Sequence, residues 1–185
     1  MALTESRDIE GGTACPDFRL PTVDGGVRRL SDFADHPVLV VMFICNHCPY
    51  VVAVEDRLIA LAREYGPRGV AFVGICANDP TDYPDDAPAA LLRRWQEKAY
   101  GFPYLVDATQ EVARAFDAVC TPDIFVYDRD RRLAYHGRID DSWKEPARVT
   151  RRDLAAALDA LLADGRPAAE QITSIGCSIK WRRAR

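Results

Sequence analysis

The sequence has no apolar run near the ~20 residues that a membrane-spanning helix needs, so no transmembrane segment is expected. A secretory leader is missing too. Met1 to Gly12 is polar and acidic, without the apolar stretch such a leader carries, and a cytoplasmic location is the expectation. Histidine is scarce, at three residues, and the single Cys-x-x-Cys has no second copy. The usual zinc and iron–sulfur ligand sets are therefore not assembled, and neither a metal nor a cofactor is expected. Positive charge is not in excess: 24 Lys and Arg against 28 Asp and Glu give a net charge of −4, which argues against nucleic acid as a partner. Six cysteines in 185 residues are too few and too scattered for a disulfide-stapled mini-domain. In a reducing compartment they are redox-active, metal-binding or buried thiols.

No repeat marks a second domain, and 48% apolar residues suffice for one full core. Residues 1–12 lack periodicity and read as a flexible N-terminus. Residues 13–165 read as the domain. Residues 166–185 carry Ile172, Ile175, Cys177, Ile179 and Trp181, too apolar for a free tail, and are expected to pack back on the domain.

The stretch that organises the chain is Val38 to Val51. Seven apolar residues, Val38 to Ile44, read as a strand buried on both faces, the kind found in parallel sheets. Cys45-Asn46-His47-Cys48 follows, then Pro49, which is tolerated only in a helix's first turn, so a helix starts near residues 45–48. Apolar residues at 51, 54, 58, 61, 62 and 65 keep its period to Gly66-Pro67. The two cysteines thus fall at the carboxyl end of a strand, where open α/β sheets place their sites. A helix N-terminus lowers a thiol pKa, and two intervening residues let the sulfurs meet. Cys45 is expected at the helix mouth as the more exposed thiol, Cys48 one turn in, with His47 favouring a thiolate nearby.

Before this stretch, Asp24-Gly25-Gly26 marks a hairpin turn and Ser31 reads as a helix cap. After it, Val70 to Cys76 is a second buried strand, which implies a right-handed parallel crossover. Asn78 to Pro88 is a solvated Asp- and Pro-rich loop over the site side of the sheet. A helix at 88–100, a strand at 102–106 and a short helix at 110–116 follow. Cys120-Thr121-Pro122-Asp123 leads into a strand at 124–127, which returns antiparallel at 133–136, and the last helix spans 150–163.

Three stretches carry a family resemblance. Cys45-Asn46-His47-Cys48-Pro49 after a buried strand resembles a thioredoxin-like active site. Thr121-Pro122 resembles the cis-proline loop that faces the dithiol in that fold. Cys15-Pro16-Asp17-Phe18-Arg19-Leu20-Pro21 is similar to the opening of the peroxiredoxin (AhpC/TSA, redoxin) branch, as Ser174 to Trp181 is to its end. The resemblance covers roughly residues 13–181 and implies an α/β thioredoxin-like fold: a central mixed sheet flanked by helices, with an N-terminal β-hairpin. It also implies departures. Where peroxiredoxins have a Pro seven residues before the peroxide-attacking cysteine and a Thr or Ser three before, this chain has Val41 and Cys45. The arginine expected near residue 124 is absent, and the strand at 38–44 lacks the buried acid of thioredoxin.

The candidate catalytic residues are Cys45, Cys48, His47, Thr121 and Pro122, with Cys120 and Cys177 as candidate resolving or third redox thiols. Three functions fit. The first is thiol–disulfide exchange, with Cys45 attacking, Cys48 resolving, and Thr121-Pro122 presenting backbone groups to an extended substrate strand. The second is a peroxidase with Cys48 as the peroxide-attacking thiolate. The third is a non-enzymatic redox sensor or adaptor. The partners implied are a protein or small-molecule disulfide, or a hydroperoxide, together with a cellular thiol reductant. The chain is expected to be a monomer or homodimer, with neither membrane nor nucleic acid as partner.

Overall fold

The computed structural model describes residues 3–183. In chain order the strands and helices are β1 (Leu3–Glu5), β2 (Arg19–Pro21), β3 (Val27–Arg29), β4 (Val38–Phe43), α1 (Pro49–Tyr65), β5 (Val70–Cys76), α2 (Pro88–Lys98), β6 (Tyr104–Val106), α3 (Glu111–Ala115), β7 (Cys120–Thr121), β8 (Asp123–Tyr127), β9 (Leu133–His136), α4 (Asp153–Leu162) and β10 (Ile175–Ser178).

A five-stranded sheet of order β6-β5-β4-β8-β9 forms the centre. Its β6-β5-β4 half is parallel, and β8 and β9 run antiparallel. Side chains alternate along a strand, so β4 feeds two cores. Val38, Val40 and Met42 pack with α1, α2 and α4, whereas Leu39, Val41 and Phe43 pack with Phe116 beside α3 and with Phe18 and Leu20 of the N-terminal hairpin. Burial of every β4 side chain explains its unbroken apolar run. This is the thioredoxin-like fold implied by the resemblance, with the β2–β3 hairpin around Asp24-Gly25-Gly26.

The apolar face of α1 is as the periodicity gives it, with one addition. Glu55 is buried among those residues, where its carboxylate takes Arg94 Nε and Nη2 at 2.7 Å each and the Tyr100 hydroxyl at 2.6 Å. A buried charge held this way survives desolvation and ties α1 to α2.

Three local expectations are corrected. Leu3–Glu5 is not a flexible end but a strand, paired with β10, which satisfies backbone groups that local periodicity cannot reveal. Ser31 caps nothing; it lies inside a 3₁₀ turn, Leu30–Phe33, whose start is held by the Asp32 carboxylate accepting the Arg29 N–H at 3.0 Å. Helix α1 begins at Pro49 with Cys48 as its N-cap residue, so Cys45 stands ahead of the helix. The tail packs on the domain through β10, which joins β1 and β7 in a second, three-stranded sheet.

Candidate active site

Four segments meet at the carboxyl end of β4: the Cys45–Cys48 turn, the loop after β5, the Thr121–Pro122 loop and β10. The Thr121–Pro122 bond is cis, as the resemblance implies. Cys45 Sγ lies 3.4 Å from the Thr121 hydroxyl, and the Cys48 thiol donates to the Thr121 carbonyl at 3.1 Å. Cys177 is the cross-strand partner of Thr121. Its thiol and that of Cys45 are the thiols that bear on the Cys48 sulfur. Cys45, Cys48, Cys177 and Thr121 thus form one cluster, and no disulfide joins any pair of the six cysteines.

The thiols differ sharply in acidity. Cys48 is brought down to about 5, first by the Cys45 thiol donating to it and then, against the opposing effect of burial, by the Cys177 thiol, the Val51 N–H of the first helical turn and Thr121. Cys45 is pushed well up by burial, by giving its proton toward Cys48, and by the nearby Asp86 carboxylate. Burial and its role as donor to Cys48 raise Cys177 to about 12. Cys48 is therefore the most acidic thiol of the cluster. Both sulfurs are buried, Cys45 at 2% exposed and Cys48 fully, so neither stands open at a helix mouth. As the N-cap residue, Cys48 lies nearer than Cys45 to the first N–H groups of the helix.

His47 is held against the loop after β5, with a ring nitrogen still within 4.8 Å of Cys45 Sγ. Its Nδ1 meets Asp86 Oδ2 at 2.5 Å, and its ring packs on Tyr83 with centroids 4.4 Å apart. Asp86 is itself buried and fully engaged. Oδ1 accepts the Asn46 and His47 N–H groups at 2.8 and 3.2 Å, and Oδ2 also accepts the Asn78 side chain at 2.8 Å. Burial raises its carboxyl, but these donors outweigh it and leave the group below the usual carboxylate range. An ionised carboxylate only accepts, so Nδ1 carries a proton, while His47 Nε2 is buried without a hydrogen-bond partner. The solvated loop expected at 78–88 thus contributes a buried anchor, Asp86, which the sequence reading missed. Its only signal was the loop's position over the site.

Cys45 Sγ, a His47 ring nitrogen and an Asp86 oxygen lie within 4.8 Å of one another, a soft set that could in principle ligate zinc. The fit is poor, since Asp86 already accepts four hydrogen bonds and the Cys45 thiol is pushed toward its neutral form.

Cys120 is buried, and its thiol donates to the Pro122 carbonyl at 3.7 Å. Burial and the adjacent Asp123 carboxylate push its pKa up. Asp123 is a second feature the sequence reading missed. It stands on the strand beside β4, where it pairs across from Phe43 and meets His136 Nε2 at 2.7 Å. Trp143 stacks on Tyr50, centroids 4.2 Å apart, beside Pro122 in a cleft of about 90 Å³.

A search of curated proteins finds no match. Among solved structures, an uncharacterized conserved protein from Geobacillus kaustophilus is 46% identical with a TM-score of 0.95, covering 100% of this chain and 99% of that one. A hypothetical protein from Sinorhizobium meliloti is 43% identical with a TM-score of 0.94, covering 98% and 100%. A peroxidoxin from Mycobacterium tuberculosis is 25% identical with a TM-score of 0.56, covering 69% and 84%. No described helix is long and apolar enough to cross a membrane. The AhpC/TSA family profile matches residues 12–136, a span that includes both the Cys45–Cys48 turn and the cis-proline loop, and the chain belongs to the AhpC/TSA family, a redox family of thioredoxin-like fold.

Proposed function

We propose that the protein is a thiol–disulfide oxidoreductase in which Cys48 is the nucleophile and Cys45 its resolving partner. The observation that carries this reading is that Cys45 and Cys48 both meet Thr121 beside the cis Pro122, with Cys48 the more acidic of the two. A thiolate attacks one sulfur of a substrate disulfide, forming a mixed disulfide and expelling a thiolate. The expelled thiolate or His47 Nε2 takes the Cys45 proton. Cys45 then attacks the Cys48 sulfur, releasing the second substrate thiol and leaving a Cys45–Cys48 disulfide. Relative to the order read from sequence, the two cysteines exchange roles. Cys177 touches the same sulfur and serves as a third redox thiol.

A peroxidase is the second reading. It is favoured by the position of the thiolate, on the cysteine that precedes Pro49, and by the likeness to a peroxidoxin. Cys48 would take one oxygen from a hydroperoxide, leaving an alcohol or water. The resulting sulfenic acid would condense with the Cys45 or Cys177 thiol and lose water. Against it, the Pro and the Thr or Ser that peroxiredoxins carry seven and three residues before the peroxide-attacking cysteine are Val41 and Cys45 here.

The test is the rate of thiol loss in the reduced protein with a model disulfide and, separately, with hydrogen peroxide, free cysteine as control. The Cys48→Ser protein should lose disulfide reactivity by about a thousandfold or more. Cys45→Ser should stop at a mixed disulfide on Cys48, visible by mass spectrometry. A Cys48→Ser protein that exchanges at the wild-type rate would sink the reading. A peroxide rate far above free cysteine that dies with Cys48 would select the peroxidase.

A further inference from the structure

The backbone edge of β7 beside the dithiol is already occupied. β10 runs antiparallel along it, with Cys177 opposite Thr121 and Ser178 opposite Cys120, and the pairing continues as the Ile179 N–H donates to the Val119 carbonyl at 2.9 Å. The approach is close: a Cβ on Gly176 would lie 1.9 Å from the Thr121 carbonyl oxygen, so only glycine permits it. The strand is fastened at both ends. Ser174 Oγ donates to the Gly137 carbonyl at 2.8 Å, and the Lys180 N–H donates to Asn78 Oδ1 at 2.8 Å. Its other edge carries β1. The chain's own strand therefore stands where an extended polypeptide would add to Thr121. It even presents a cysteine, Cys177, whose thiol meets Cys48.

A polypeptide disulfide reaches Cys48 only by displacing β10 and breaking this set of bonds. A small molecule needs no free strand edge; Cys45 and Cys48 are buried, so it needs only a local side-chain opening beside Pro122 rather than release of a whole strand. Beside Tyr50 and Pro122 lies the cleft of about 90 Å³, lined also by Ile139, Trp143 and Ile175; no cysteine lines it, and Pro122 is what joins it to the dithiol loop. We infer that the substrates of the dithiol are low-molecular-weight disulfides carrying a short apolar arm, and that β10 excludes peptide and protein disulfides. The inference rests on the exchange reading above. One small disulfide is reduced to two small thiols, two protein thiols become the Cys45–Cys48 disulfide, and the leaving thiolate is protonated from Cys45 or from solvent.

Stopped-flow oxidation of the fully reduced full-length protein by methyl propyl disulfide, bis(2-hydroxyethyl) disulfide and insulin tests this. Per disulfide, both small reagents should outpace insulin at least a hundredfold, methyl propyl disulfide fastest. Trp143→Ala, which opens the cleft without touching the sulfurs, should slow methyl propyl disulfide about tenfold and leave insulin unchanged. Gly176→Val, checked for folding by circular dichroism, should loosen β10 and raise the insulin rate. Insulin reacting with the wild type as fast as the small disulfides would overturn the inference while leaving exchange chemistry in place. No reaction with any disulfide would overturn the exchange reading, and this inference with it.

Discussion

Two buried Asp–His pairs flank the same turn of chain, and they behave oppositely. Asp86 and His47 sit beside the cysteines; Asp123 and His136 sit behind the cis-proline loop. Their contact distances are alike, 2.5 and 2.7 Å, and both carboxylates are shielded from solvent. Yet the carboxyl of Asp86 is held below the usual range, and that of Asp123 is raised by burial that His136 only partly offsets. The difference lies in the second oxygen. Asp86 uses both oxygens, with two donors on each, whereas Asp123 Oδ2 is buried without a partner. A histidine does not by itself make a buried carboxylate comfortable; the count of donors does.

The contrast can be broken by removing each histidine or each carboxylate. The largest effect is expected from His136→Ala. It strips Asp123 of its ring partner and should cost about 3 kcal/mol or more at pH 7 in urea unfolding, as for other broken buried pairs. Because the carboxyl of Asp123 is already raised in the fold, it takes up a proton as pH falls. The cost should therefore shrink as pH falls from 7 toward the raised carboxyl pKa. A deficit that stays constant with pH would show that Asp123 is not the group left exposed to the loss. Asp86→Asn comes next. It presents an amide to N–H groups that need an acceptor, and should cost about 1–3 kcal/mol. By letting the Cys45–Cys48 turn shift, it should also slow disulfide reduction up to about a hundredfold. In the wild type the contribution of Asp86, whose pKa is depressed, is present above the ordinary carboxylate pKa of about 3.9 and is lost only as pH falls below it.

The smallest effect concerns the thiolate. Absorbance at 240 nm in the reduced protein should titrate with a midpoint of about 5. Cys45→Ala removes the leading donor to Cys48 and should raise that midpoint by about one to two units. With a depressed pKa, Cys48 stabilises the fold fully above the ordinary thiol value near 8.5, and this is lost as pH falls through about 5. Stability of wild type relative to Cys48→Ser should therefore decline across that window. An unchanged midpoint in Cys45→Ala would place the stabilising donors elsewhere.

The sheet and the helices that cover it were readable from the chain because their signal is local. The apolar run at 38–44 and the six-position stripe of α1 each announce one element, and the structure returns them within a residue or so. Thr121-Pro122 opposite Cys45 and Cys48 was legible only through resemblance, since no spacing links residues so far apart. What stayed hidden was decided by tertiary placement. Nothing in Asp85-Asp86 distinguishes the exposed residue from the buried one. Nothing in Leu3-Thr4-Glu5 announces a strand whose partner lies near the other end of the chain. The position of Cys45 and Cys48 relative to the helix start was misjudged for a similar reason. Which of them caps α1 depends on where Pro49 places the first turn, a matter of one or two residues.

The three-stranded sheet β1-β10-β7 has a consequence for the order in which the molecule is made. Leu3 and Cys177 are roughly 170 residues apart, and bringing such positions together is among the slowest steps a chain of this size takes. The central sheet and α1 can assemble before Cys177 has left the ribosome, so the dithiol is complete while its cover is still unmade. A nascent chain then presents β7 as an open edge beside a reactive sulfur, and for that interval it can be captured by disulfides that the finished protein excludes.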